Sequence, residues 1–110
     1  MKNPDINVYI QDMKNASVKI IEIVEDISFE QFESESVLHL AIERLFEILG
    51  EAANRVPKDI QLQHATIPWS SIIGMRNIII HSYDKVNPEQ LWVTIQEDLR
   101  ILVNNLNTIK

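Results

Sequence analysis

Between residues 76 and 84 the chain reads Arg-Asn-Ile-Ile-Ile-His-Ser-Tyr-Asp, setting reactive side chains around its most apolar run. Arg76 presents a planar fork of donors matched to phosphate oxygens, and His81 can exchange a proton near neutral pH. On an ideal helix at about 100° per residue, Asp84, Asn77 and His81 fall about 80°, 100° and 140° from Arg76, with Ile78 and Ile79 at about 200° and 300°. One arc is therefore polar, with Ile80 as its exception, and the isoleucines opposite are expected to clamp the helix into a core and hold the polar arc still. An imidazole and a guanidinium held together have the chemistry to break a ribose phosphodiester. The imidazole takes the proton of a 2′-hydroxyl, and the guanidinium stabilises charge developing on the phosphorus oxygens. Neither step calls for a metal or a cofactor. Five residues apart, however, Arg76 and His81 diverge too far around one helix to grip one phosphate. Either the helix unwinds near His81 or a second copy of the chain completes the site. From residue types alone the same arc also reads as a solvated face or a local ion-pair site with Asp84.

The elements that must position these residues read as helices. Asn3, Pro4 and Asp5 supply an N-cap, a first-position proline and a carboxylate at the positive end of the dipole, so a helix is predicted from there to about Ile27. Ile6, Ile10, Met13, Ser17, Ile20, Val24 and Ile27 alternate spacings of four and three, which makes one apolar seam interrupted only by Ser17. The polar joint SFEQFESES follows. Leu38, Ala41, Leu45, Ile48, Ala52 and Val56 then repeat the spacing through a second long helix that Pro57 closes. Gly50 inside that helix costs roughly 1 kcal/mol relative to alanine, so a close approach by another backbone is expected there. Residues 57 to 68 read as the longest irregular stretch, and IPWSS restarts a shorter helix that carries the motif. Asn87, Pro88, Glu89 and Gln90 start the last helix, with Leu91, Ile95, Leu99, Leu102, Leu106 and Ile109 on its buried side. The expected fold is all-α, an antiparallel four-helix bundle in one domain spanning residues 1 to 110.

Composition narrows the function. A chain of 110 residues, 45% of them hydrophobic, can bury one modest core. A net charge of -6, with ten dispersed lysines and arginines, argues against holding nucleic acid by broad counterion release, so any such contact must be local. The absence of cysteine removes disulfides, thiolate nucleophiles and cysteine-ligated zinc. No signal-like or membrane-spanning segment is visible, and a soluble cytoplasmic protein is expected. Glu43, Glu47 and Glu51 form a carboxylate stripe that reads as a solvated face, though beside Gly50 it could border a cleft. His81 and Asp84 could offer two metal ligands, but no third has suitable spacing, and His39 and His64 lie in unrelated segments. Trp69 and Trp92 each flank a helix start beside apolar neighbours and read as core or interface anchors.

Arg76-Asn77, three isoleucines and His81-Ser82-Tyr83 match the R-x4-H-x-Y motif of the HEPN superfamily, with a polar residue after the arginine. The context resembles the HepT-type toxin branch: ERLFEILGEAANRVP before the motif, IPW shortly upstream, and NPEQLW after it. The resemblance runs from about residue 38 to the C-terminus; the first helix matches in length and amphipathic character. It implies a four-helix, two-fold symmetric homodimer whose motif helices meet at a shared cleft, acting as a metal-independent endoribonuclease. Arg76 and His81 would carry catalysis, with Asn77 and Asp84 as supporting polar groups. It further implies the toxin half of a type II toxin–antitoxin pair. The partner would be an MNT-type nucleotidyltransferase antitoxin that neutralises the toxin by AMPylation of Tyr83. RNA is the expected substrate, and no DNA or membrane partner is expected. A rival reading is a catalytically silent subunit that docks a nucleotidyltransferase and binds nucleotide phosphate through Arg76 and His81; the acidic net charge leans that way, and the full Arg, Asn, His and Tyr set leans toward the enzyme.

Overall fold

The computed structural model describes residues 6–81 and 87–109, with the backbone alone at Ile80 and His81. The Asn3-Pro4-Asp5 cap, Tyr83 and Asp84 lie outside the described residues. Helix α1 (Ile6–Val24) buries Ile10, Met13, Ala16, Ser17, Ile20 and Val24, the seam expected from the spacing. It stops three residues short of Ile27. Ser28 already caps the next helix in extended backbone (φ -83°, ψ 163°), so the chain must leave helical conformation before it.

The polar joint is itself a helix, α2 (Phe29–Ser34). Ser28 Oγ accepts from the Gln31 amide while Gln31 Oε1 accepts from the Ser28 amide, a complete capping box. Phe32 projects inward and meets Trp92, with ring centroids 5.1 Å apart, and Phe29 packs edge-on to the same indole. His39 stacks on Phe32 and donates through Nε2 to the Phe32 carbonyl, so this histidine has a structural task.

Helix α3 (Ser36–Arg55) runs through the middle of the molecule, packed against α1 and against α5 (Trp69–His81). Between α3 and α5 the stretch expected to be irregular holds a six-residue helix, α4 (Lys58–Gln63). The last helix begins at Asn87, whose Oδ1 accepts from the amides of Glu89 and Gln90, with Pro88 in the first turn. It comprises α6 (Pro88–Val93), a π-helical turn (Thr94–Leu99) and α7 (Arg100–Leu106) without a break. Leu91, Ile95, Leu99, Leu102 and Leu106 are buried, and Ile109 is half-buried. The π turn has a sequence cause. Leu91, Ile95 and Leu99 are spaced four and four, which drifts about 80° around an α-helix, and a wider i→i+5 turn brings them back toward one line.

The architecture is the expected all-α bundle, and no strand occurs among the described residues. Nor, among them, is any helix long and apolar enough to cross a membrane.

Candidate functional site

The start of α5 is pinned before the motif begins. Gln61, buried on α4, donates through Nε2 to the carbonyl of Val56 (3.0 Å) at the end of α3 and, at 3.4 Å, to that of Ala53, which also accepts from the Val56 amide. Trp69 then donates through Nε1 to the carbonyls of Gln61 and His64, both at 3.1 Å. The tryptophan is buried, as its place beside a helix start suggested. Helix α5 is thereby anchored at the far end of α3 and packs back along it.

Two turns further on, Arg76 reaches Gly50. A Cβ placed on Gly50 would lie 3.0 Å from Arg76 Cγ and 3.2 Å from its Cδ, and closer still to its Cβ. The close neighbour at this glycine is the stem of Arg76, beginning at the Cβ that the α5 backbone holds against α3. This also corrects the helical wheel. The inward face of α5 carries Trp69, Ile72 and Ile79, all buried, and Arg76 lies in the middle of that arc, half-buried. Ile78, expected to clamp the helix, is 61% exposed. The wheel erred because it assigned the arginine to the solvent side by residue type; Gly50, which makes room for it, is distant in sequence.

The head of Arg76 emerges beside Asn77, whose Oδ1 accepts from Nη1 at 3.0 Å. Nε is buried and has no hydrogen-bond partner among the described residues, a cost of about 1–3 kcal/mol for a donor. His81 is the last residue of α5. The structure thus brings Arg76 and Asn77 together and places the backbone of His81 five residues along the same helix.

The carboxylate stripe on α3 is partly neutralised. Arg44 Nη1 lies 3.3 Å from Glu47 and 3.6 Å from Glu51, with the arginine side chain 63% exposed, so these pairs contribute little to stability. Among the described residues no group of three or more carboxylates or histidines is placed to hold a metal ion.

Sequence reasoning missed a cleft of about 340 Å³ between α3, α5 and the last helix. Its walls are mainly Phe46, Leu49, Ile72, Met75 and Leu102; the π turn contributes Thr94, Asp98 and Leu99. Leu49 and Met75 are chain neighbours of Gly50 and Arg76, but none of Gly50, Arg76 and Asn77 lines the cleft. Only the spacing of Leu91, Ile95 and Leu99 hinted at the π turn that shapes it.

An all-α bundle that seats an arginine on a glycine of its central helix, one residue before an asparagine and five before a histidine, defines a class of helical proteins built around a short polar motif. The model of the family described as "HepT-like: Ribonuclease HepT-like" matches residues 13–109, and the chain belongs to that family. It is 37% identical to a candidate RNase of Caldanaerobacter subterraneus subsp. tengcongensis over 99% of this chain and 96% of that protein. It is 33% identical to a protein named probable ribonuclease HepT of Thermococcus cleftensis, over 93% of each chain. A candidate RNase of Methanocaldococcus jannaschii is 29% identical, over 90% of this chain and 91% of its own. No solved structure gives a significant match.

Proposed function

We propose that the protein is a metal-independent endoribonuclease, the toxin of a toxin–antitoxin pair. The observation that carries the reading is Arg76: a guanidinium seated over Gly50 and oriented by Asn77, in a chain of the HepT-like ribonuclease family. The ribonuclease names of its relatives support RNA as the substrate. His81 takes the proton of the ribose 2′-hydroxyl as that oxygen attacks the adjacent phosphorus. The bond from phosphorus to the 5′-oxygen breaks, the leaving oxygen takes up a proton, and a 2′,3′-cyclic phosphate remains. Arg76 stabilises the charge on the non-bridging oxygens during that exchange. Asn77 keeps its fork aimed, and Asp84 is a further polar group of the motif.

The site is composite. Arg76 of one copy and His81 of a second act on one phosphate across a two-fold cleft, because five helical residues set the two side chains about 140° apart within one copy. Ile78, exposed on the same helix, is the kind of apolar residue a facing copy would cover. Control comes from a nucleotidyltransferase antitoxin. The Tyr83 oxygen attacks the α-phosphorus of ATP, a tyrosine–adenylate bond forms and pyrophosphate leaves.

The acidic net charge of -6 favours a second reading, a silent docking subunit of the nucleotidyltransferase. One cleavage experiment separates the two. The wild type should cut single-stranded RNA in excess EDTA, and R76A and H81A should each lose about 100-fold or more while keeping their helical circular dichroism. A wild type with no activity on any RNA, or variants as active as the parent, would reject the enzyme reading.

A further inference from the structure

We propose that Gly50 is a positioning residue for Arg76: the side chain missing from α3 is the seat in which the arginine stem lies, and it fixes where the guanidinium emerges. The inference rests on the reading of Arg76 as the catalytic cation.

Backbone conformation does not call for glycine here, since no described residue has positive φ. What demands it is the neighbour. The atoms nearest to a Cβ at position 50 are Cβ, Cγ and Cδ of Arg76, the whole stem of one side chain. Cγ and Cδ could swing aside by a rotamer change, but Cβ is fixed to the α5 backbone. Relief of that contact requires α5 itself to move away from α3 or to rotate, and the guanidinium moves with it. The seat is also closed further out. Nε is buried with no acceptor among the described residues, and Nη1 donates to exposed Asn77, so the inner part of the head has little room to shift. Gly74, the other glycine, supplies an internal contrast: a Cβ there meets nothing within 4 Å.

The test is a double-mutant cycle read in single-turnover RNA cleavage. G50A should slow cleavage by about 10- to 100-fold, mostly in kcat, as expected for a catalytic group displaced by about 1 Å. G74A should stay within about twofold of wild type. In the R76G background the same G50A change should add no more than about a twofold loss, because the Cβ, Cγ and Cδ that would crowd position 50 are then all absent. A G50A enzyme with wild-type kcat overturns the proposal. An equal loss in both backgrounds also overturns it, since Gly50 would then act other than through its contact with the Arg76 side chain.

A second readout uses the wild type and does not depend on activity. The Arg76 Nε–H, followed by NMR, should exchange with solvent more slowly than that of Arg44, whose side chain is 63% exposed; in folded G50A that protection should fall. Free exchange at Arg76 in the wild type overturns the seat and leaves the catalytic reading standing. Protection at Arg76 together with full activity of R76A overturns the catalytic reading, and with it any positioning role.

Discussion

Arg76 sits where residue type alone would place an isoleucine. It lies on the inward arc of α5 with its stem on Gly50, its Nε buried with no acceptor among the described residues and its Nη1 on Asn77. Two local rules are broken at one point: a glycine inside a helix, and a buried donor left unpaired. Such paired violations mark sites where a side chain is held for a purpose other than stability. Tyr83 is the residue at which control is proposed to act. An adenylate two residues from His81 would bring bulk and negative charge against an incoming phosphate. Intact-mass spectrometry after incubation with a minimal nucleotidyltransferase and ATP should show one or more added AMP groups on the wild type, and Y83F should show none while still cutting RNA. Equal adducts on Y83F would return the tyrosine to a packing role. Of the site, the residue types and the order of the motif were legible in the sequence. The inward direction of Arg76 was not, because the gap that admits it belongs to a helix more than twenty residues away.

At the scale of elements, the long helices were legible because an apolar seam spaced four and three keeps to one side of a helix and would scatter over both faces of a strand. Helix α1 buries its expected seam. Helix α3 instead buries Ile42, Phe46, Leu49 and Ala53 together with Ala52, a line turned away from the expected one, whose Leu38, Leu45 and Ile48 are half-buried and whose Ala41 is exposed, because the helix packs against both α1 and α5. The short ones were less so. Helix α2 announced itself only through the Ser28 and Gln31 capping pair, and α4 exists because Gln61 and Trp69 tie the end of α3 to the start of α5, a contact that local periodicity does not encode. The break in the α1 seam has its own consequence. Ser17 is fully buried and its hydroxyl has no partner among the described residues. Removing a buried, unsatisfied hydroxyl relieves its desolvation cost, and alanine is also the better helix former. S17A should therefore raise the unfolding free energy by about 1 kcal/mol with an unchanged urea m-value. A loss of stability of that size would mean that the hydroxyl is satisfied in solution.

For the whole molecule, the balance to explain is an acidic protein proposed to act on a polyanion. A net charge of -6 disfavours a broad RNA-binding surface and leaves affinity to a few placed groups, of which Arg76 is the clearest. That requirement makes the composite site the central claim, because side chains five residues apart on an ideal helix diverge by about 140°. Mixing the two inactive variants tests it most directly. R76A and H81A, unfolded together and refolded as an equimolar mixture, should give half heterodimers, each with one site that pairs an intact Arg76 with an intact His81. RNA cleavage should return to about a quarter of the wild-type rate. A mixture as inactive as its parents, with heterodimers confirmed by native mass spectrometry, would contradict the account and place both catalytic groups within a single chain.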